Sequence, residues 1–249
     1  MSSKVLYMVH LVVDIGNSST KSAVMSDGRV LSVCREECLG NGLSELVSDA
    51  KISCGICSSV RELTDGERIL LSSLPFPVIH LSAQTPLPLR IVYSTPGTLG
   101  PDRIASAVGA WKRMPGRNLL IIDAGTAVTY DVVTAEGEYL GGNISPGLSM
   151  RLRALHEFTG RLPLVNPDGD VPDVGYSTET AIRSGVVLGM RDEMLGCISR
   201  LSAGYDSIFV FLTGGDAELF GIPIKNGIFA DEFLLLEGLD TICSFNEKM

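Results

Sequence analysis

Leu11-Val12-Val13-Asp14-Ile15-Gly16-Asn17-Ser18-Ser19-Thr20-Lys21 and Leu120-Ile121-Ile122-Asp123-Ala124-Gly125-Thr126-Ala127-Val128-Thr129-Tyr130-Asp131 follow one pattern. Each is an apolar run that ends in Asp-x-Gly with small hydroxyl residues close behind. Each then continues to an acidic-Gly pair, Asp27-Gly28 in the first and Glu136-Gly137 in the second. Asp14 and Asp123 stand 109 positions apart, and so do Gly28 and Gly137. A matched offset at both points marks an internal repeat. Each copy reads as a β-hairpin with a bend at Asp-x-Gly and a reversal at the acidic-Gly pair.

The rest of the chain fits two related lobes. A length of 249 residues suits one large domain or two small ones. With 45% hydrophobic and 20% charged residues, the chain buries a real core and is not intrinsically disordered. A net charge of −9 opposes nonspecific nucleic-acid binding, which needs a basic face, but does not oppose small anionic ligands held by a few local cations. The long uncharged stretch from Ile69 to Leu89 carries Pro75, Pro77, Pro86 and Pro88, so it reads as a loop-rich connection and not as a membrane span. The apolar run Val5 to Val13 reads as a core strand and not as a signal peptide, which places the protein in the cytoplasm.

Strands and helices alternate along the chain. Lys51 to Val60 reads as a strand. Its Cys54 and Cys57, with Cys34 and Cys38, have a superficial zinc spacing, but the context favours buried thiols. Asp102 to Met114 and Gly147 to Phe158 have helical apolar spacing. A long helix begins at Ser177-Thr178, and its Ala181, Gly185 and Gly189 form a small-residue face on which another backbone could approach closely. Ser207 to Leu212 is a strand ending in Thr213-Gly214-Gly215, and Ala230 to Leu239 is a final helix. The division falls near Pro115-Gly116, giving an N-terminal lobe of residues 1–115 and a C-terminal lobe of residues 116–249. The fold class is α/β, with mixed sheets flanked by helices around a central cleft.

Several motifs offer chemistry. A turn at Asp14-x-Gly16 exposes backbone N–H groups and hydroxyls that can wrap phosphates, and a strand-end carboxylate can hold Mg²⁺ directly or through water. An ordinary Asp-Gly hairpin is the plainer alternative, and the second copy favours the phosphate reading. Gly100-Pro101-Asp102-Arg103 opens a helix, where Pro suits the first turn and the dipole favours an ionised Asp. Asp102 could accept a hydrogen bond from a substrate hydroxyl and Arg103 could grip a carboxylate or phosphate. On this motif alone, a helix cap for Asp102 and a surface ion pair for Arg103 are the favoured reading. Thr213-Gly214-Gly215 and Gly141 to Gly147 are glycine-rich junctions that suit either close backbone approach to a ligand or a plain turn. The P-loop, dinucleotide, nucleophile-elbow and HExxH patterns are all missing from the sequence.

Taken in order, these pieces resemble the superfamily of actin, sugar kinases and acetate kinase, whose fold is the actin-like ATPase (ribonuclease H-like) fold. Within it they are most similar to the type III pantothenate kinases. The matching stretches are 14–21, 56–60, 100–103, 123–131, 141–147, 161–163, 177–185, 212–215 and 233–239, spread over nearly the whole chain. The resemblance implies ATP-dependent phosphorylation of the primary hydroxyl of pantothenate, the first step toward coenzyme A. It implies that Asp14, Ile15, Gly16, Asn17, Ser18, Ser19, Thr20 and Lys21 cradle the ATP phosphates, with Asp14 near Mg²⁺. It further implies that Asp102 accepts the proton and that Tyr93, Gly100, Pro101, Asp102, Arg103 and Thr178 meet pantothenate. Thr126 would contact ATP, Asp123 would hold K⁺ or NH₄⁺, and the protein would be a homodimer. Ser18 stands where the family commonly has Thr, and Pro101 where a small residue is usual. Two rivals follow from the same resemblance: another small-alcohol or sugar kinase of the superfamily, and a non-enzymatic relative accessory to transcription. The presence of all three of Asp14, Asp102 and Asp123 favours an enzyme.

Overall fold

The computed structural model describes residues 8–48, 50–205, 207–220, 222, 227–229 and 232–248. In chain order the elements are β1 (Val9–Ile15), β2 (Thr20–Ser26), β3 (Arg29–Glu36), α1 (Asn41–Val47), β4 (Cys54–Ser59), α2 (Asp65–Ser72), β5 (Val78–His80), β6 (Arg90–Ile91), α3 (Pro101–Arg113), β7 (Asn118–Ala124), β8 (Ala127–Val133), β9 (Glu138–Pro146), α4 (Leu148–Glu157), α5 (Thr178–Ser202), β10 (Ile208–Thr213), β11 (Gly227–Phe229) and α6 (Leu234–Glu247). The chain forms two compact units. Unit 1 holds Met1–Gly116, Glu136–Leu140 and Phe233–Met249, and unit 2 holds Arg117–Ala135 and Gly141–Glu232.

The repeat seen in the sequence is a repeat of topology. The sheet of unit 1 runs β3-β2-β1-β4-β5; the other sheet runs β11-β10-β7-β8-β9, with β6 added beside β9. β1 pairs antiparallel with β2, and β2 with β3, as β7 pairs antiparallel with β8; on the far side β1 is followed by the parallel strands β4 and β5, and β7 by the parallel strands β10 and β11. β1 and β7 share the same alternation of buried and half-buried positions. Strand geometry sends alternate side chains to opposite faces. Leu11, Val13 and Ile15 therefore join Leu39, Leu43 and Leu71 under α1 and α2. Val12 and His10 face the other way, and His10 reaches Asp240 of α6. On β7, Leu120, Ile122 and Ala124 belong to the core beneath α4 and α5.

Several expectations change. The expected boundary at 115–116 puts the last helix in the C-terminal lobe, but α6 packs in unit 1. The cause is a backbone-to-backbone crossing with α3: a Cβ on Gly238 would collide with the Ala105 carbonyl, and one on Gly109 with the Leu234 carbonyl. Arg113 locks the crossing by a two-pronged pair with Glu237, at 2.7 and 2.5 Å. The helix also runs on to Glu247, beyond the expected Leu239; the expected starting residues Ala230 and Asp231 lie outside the described residues. Residues 5–7 of the expected first strand lie outside them as well.

The small face of α5 meets another backbone closely at its start, where a Cβ on Gly175 would lie 2.3 Å from the Ala181 Cα, but not further along. Nothing among the described residues lies within 4 Å of a Cβ built on Gly185 or Gly189, and both are exposed. The stretch Ile69 to Leu89 is loop-rich as expected, with only the end of α2 and all of β5 as regular elements. α2 is set by a capping box, in which the Glu67 amide donates to the Thr64 hydroxyl at 3.3 Å and the Thr64 amide donates to Glu67 at 2.9 Å. No helix among the described residues is long and apolar enough to cross a membrane.

Candidate active site

In unit 1, the β1 strand delivers Asp14 at its half-buried end, on the same face as His10 and Val12. The turn that follows is tight: the Gly16 amide donates to the Ser19 carbonyl at 3.0 Å, and a Cβ on Gly16 would lie 3.0 Å from that same oxygen. Asn17, Ser18 and Ser19 are exposed at its tip, while Ile15 and Thr20 are buried at its base. Register pairs Asp14 with Lys21 on β2 and with Ser58 on β4, so these three residues project on one face. Lys21 is thus beside the carboxylate and is half-buried.

α3 opens with Gly100 as its cap residue and Pro101 at its first helical position. Asp102 is half-buried in the first turn, and its Oδ1 accepts the Arg103 amide at 2.9 Å, lying over Gly100. A side chain at residue 100 would strike that oxygen, which explains the glycine. Arg103 is not a surface residue: it is 6% exposed, and its guanidinium carbon lies 6.0 Å from the centre of the Tyr93 ring. Tyr93 in turn meets Tyr139 edge to face, with centroids 6.3 Å apart and planes at 70°. The structure therefore brings Tyr93, Gly100, Asp102 and Arg103 together.

In unit 2, Asp123 occupies on β7 the place of Asp14 on β1 and pairs with Thr129 and Thr213. Its turn is hemmed in by glycines. A Cβ on Gly147 would collide with the Gly125 and Thr126 carbonyls, and a Cβ on Gly214, at φ +98°, would lie 2.5 Å from the Ala124 backbone nitrogen. The two glycine-rich junctions of the sequence thus serve close packing on the Asp123 turn. Asp216 follows Gly214-Gly215 and donates its amide to the Ala124 carbonyl at 3.0 Å, while burial raises its carboxyl pKa above the usual range. Thr126 is exposed at the turn tip, and Thr178 is exposed at the first residue of α5, after a Ser177–Thr180 capping box.

A network that the sequence reading missed holds the 141–147 junction in place. Arg151 donates to Glu193 at 2.6 Å, to Ser145 at 2.8 Å and to the Pro146 carbonyl at 2.8 Å, and the Tyr130 hydroxyl donates to Glu193 at 2.7 Å. No local pattern signals it, because its members come from β8, β9, α4 and α5. The cysteines are all free, and no cluster of three or more His, Cys, Asp or Glu side chains among the described residues is placed to hold a metal.

Comparison with known proteins decides the family. A family model described as type III pantothenate kinase matches residues 10–200. The chain belongs to the type III pantothenate kinases. A relative named type III pantothenate kinase from Phocaeicola vulgatus is 47% identical over 246 residues, covering 97% of this chain and 100% of its own. One from Bacteroides fragilis is 44% identical over 239 residues, covering 96% and 98%. Solved structures share the fold at low identity. A Baf family protein from Campylobacter jejuni, described as a transcriptional activator, aligns with TM-score 0.62 at 20% identity, over 96% of this chain and all of its own. A ROK family glucokinase from Streptomyces griseus, in complex with glucose and AMPPNP, aligns with TM-score 0.52 at 12% identity, over 97% and 100%. The architecture expected from the family, mixed sheets flanked by helices on the actin-like plan, is the one observed.

Proposed function

We propose that this chain transfers the γ-phosphoryl group of ATP to the primary hydroxyl of pantothenate, giving 4′-phosphopantothenate and ADP at the entrance to coenzyme A synthesis. The observation that carries the reading is family identity along essentially the whole chain. The likeness to a transcriptional activator stands at 20% identity and speaks only to fold.

The residues divide the work as follows. Asp102 orients the pantothenate hydroxyl and takes its proton as the new O–P bond forms and the bond from Pγ to the β-phosphate oxygen breaks. Tyr93, Gly100, Pro101, Arg103 and Thr178 bind pantothenate, with the buried Arg103 matched to its carboxylate. The 14–21 turn takes the ATP phosphates through exposed amides, the Ser18 and Ser19 hydroxyls and Lys21, and Thr126 contacts ATP. The donor set fits the expected ions. The half-buried Asp14 beside that turn suits Mg²⁺, which keeps most of its waters and shares phosphate oxygens. Asp123 lies near Gly125, with one carboxylate oxygen 3.5 Å from where its Cβ would be, and such oxygen donors suit K⁺ or NH₄⁺. When bound, these cations neutralise charge that develops on the phosphates.

A cytoplasmic homodimer completes the reading. Ile144, Phe158 and Val174 of unit 2, exposed at 64%, 83% and 82%, supply apolar surface for such an interface. The deciding experiment is a coupled assay of ADP release with ATP and Mg²⁺, with pantothenate present or omitted, K⁺ exchanged for Na⁺, and a panel of sugars in parallel. Turnover that requires pantothenate and K⁺ or NH₄⁺ supports the proposal; turnover of a sugar and not of pantothenate overturns it.

A further inference from the structure

We infer that Tyr139 is a positioning residue for the pantothenate side of the site: it holds the Tyr93 ring, and through that ring the Arg103 guanidinium. The inference rests on the proposed function.

Tyr139 is fully buried, the second residue of β9. It belongs to the five-residue segment Glu136–Leu140, which packs in unit 1 although unit 2 flanks it on both sides in sequence. Backbone bonds fasten that segment beside Tyr93. The Arg90 amide donates to the Gly137 carbonyl at 2.9 Å, and the Val92 amide donates to the Tyr139 carbonyl at 2.9 Å. Ile91 pairs with Tyr139 in register, and Arg90 forms an ion pair with Glu138. At the head of the segment Gly137, at φ +79°, lies against Trp111, with ring atoms 3.3–3.5 Å from where its Cβ would be. The peptide next to Tyr93 is therefore fixed, and the remaining freedom of Tyr93 is rotation of its own side chain.

Tyr139 removes that freedom. Its ring meets Tyr93 edge to face, and Arg103 lies against the same Tyr93 ring. Edge-to-face pairs favour one relative orientation, and a cation over an aromatic face favours another fixed geometry. Together they stack Tyr139, Tyr93 and Arg103 in one order before any substrate arrives. Without the Tyr139 ring, the half-buried Tyr93 gains rotamers, and pantothenate binding must order it again. The loss then falls on affinity for pantothenate. Asp102, held by its own contact with the Arg103 amide, keeps its place, so the chemical step and ATP binding are spared.

Steady-state kinetics on Tyr139→Leu, Tyr139→Met and Tyr139→Phe test this, with both KM values, kcat and the thermal midpoint recorded for each. The expected result is a rise of about tenfold in the pantothenate KM for Leu and Met, with the ATP KM and kcat within about twofold of wild type. Tyr139→Phe keeps the ring and holds the rise below about threefold. Because Tyr139 acts through Tyr93, a Tyr93→Leu/Tyr139→Leu double variant binds pantothenate no worse than Tyr93→Leu alone. Met, similar to Leu in volume but unbranched and flexible, adapts to the vacated space and serves where Leu does not fold. An unchanged pantothenate KM overturns the inference. So do additive effects in the double variant, or parallel losses in all constants that track a fallen thermal midpoint. A wild type that turns over ATP with no requirement for pantothenate overturns the functional reading itself, and the inference falls with it.

Discussion

Asp102 shows how much one residue's position on a helix decides. At the second residue of α3 its carboxylate touches the helix start through the Arg103 amide, yet Gly100 is the cap residue and Asp102 stays half-exposed. Asp102→Asn keeps the shape and removes the proposed base. It lowers kcat by about 100- to 10,000-fold while the thermal midpoint stays near wild type; near-normal turnover would refute its role. Gly214 makes the complementary case. Its φ of +98° and its contact with the Ala124 backbone leave no room for a side chain. Gly214→Ala destabilises the protein by about 2 kcal/mol or more, read from the midpoint of urea unfolding. The Thr-Gly-Gly motif was legible in the sequence, but its partner was not. Sequence alone left a ligand and a plain turn equally plausible, and the folded chain shows the backbone of β7 as what the glycine approaches.

The elements are joined at crossings that no local pattern announces. α3 and α6 meet with their backbones in contact at Gly109 and Gly238. Gly238→Ala forces them apart and costs about 3 kcal/mol, a loss that chemical unfolding measures directly. A buried triad ties α6 to β1. His10 Nδ1 lies 2.6 Å from Asp240, its Nε2 lies 2.9 Å from Glu247, and Asp240 also accepts the Gly28 amide at 2.9 Å. Burial pulls the His10 pKa down, but hydrogen bonds and charge from the two carboxylates outweigh it and the net shift is upward from 6.5. A raised folded pKa means that the protonated triad contributes stability fully below the unfolded value near 6.5, and that this contribution is lost as pH rises through the folded value. Glu67 has the opposite sign. The Arg61 pair lowers its pKa to about 2, so its contribution is present above 4.5 and is lost as the solution is acidified toward that value. Unfolding free energy measured from pH 6 to 9 therefore declines with rising pH, at most by ~1.4 kcal/mol per unit for the one proton. His10→Gln flattens that slope, and an equally steep decline in the variant would exclude the triad as its source. Nothing local in the sequence marks His10 as a member of this triad, since its partners lie 230 and 237 residues away.

For the whole molecule, ligand binding is the simplest readout of the assignment. At about 100 times its dissociation constant a ligand stabilises the folded state by about 2.7 kcal/mol, or about 5–10 °C in thermal midpoint for a chain of this size. ATP with Mg²⁺ produces such a shift, K⁺ enlarges it relative to Na⁺, and Asp123→Asn abolishes the difference between the two salts. By itself the sequence determined the duplication, the two strand-turn aspartates and the family. These depend on short motifs and a fixed offset, which neighbouring residues along the chain specify. Only the tertiary structure decided that α6 returns to unit 1, that five residues of β9 and its turn do the same, and that Arg103 is buried against Tyr93 and Tyr139. Those outcomes depend on contacts between residues far apart in sequence, where close approach, desolvation and charge pairing act on geometry that no linear pattern encodes.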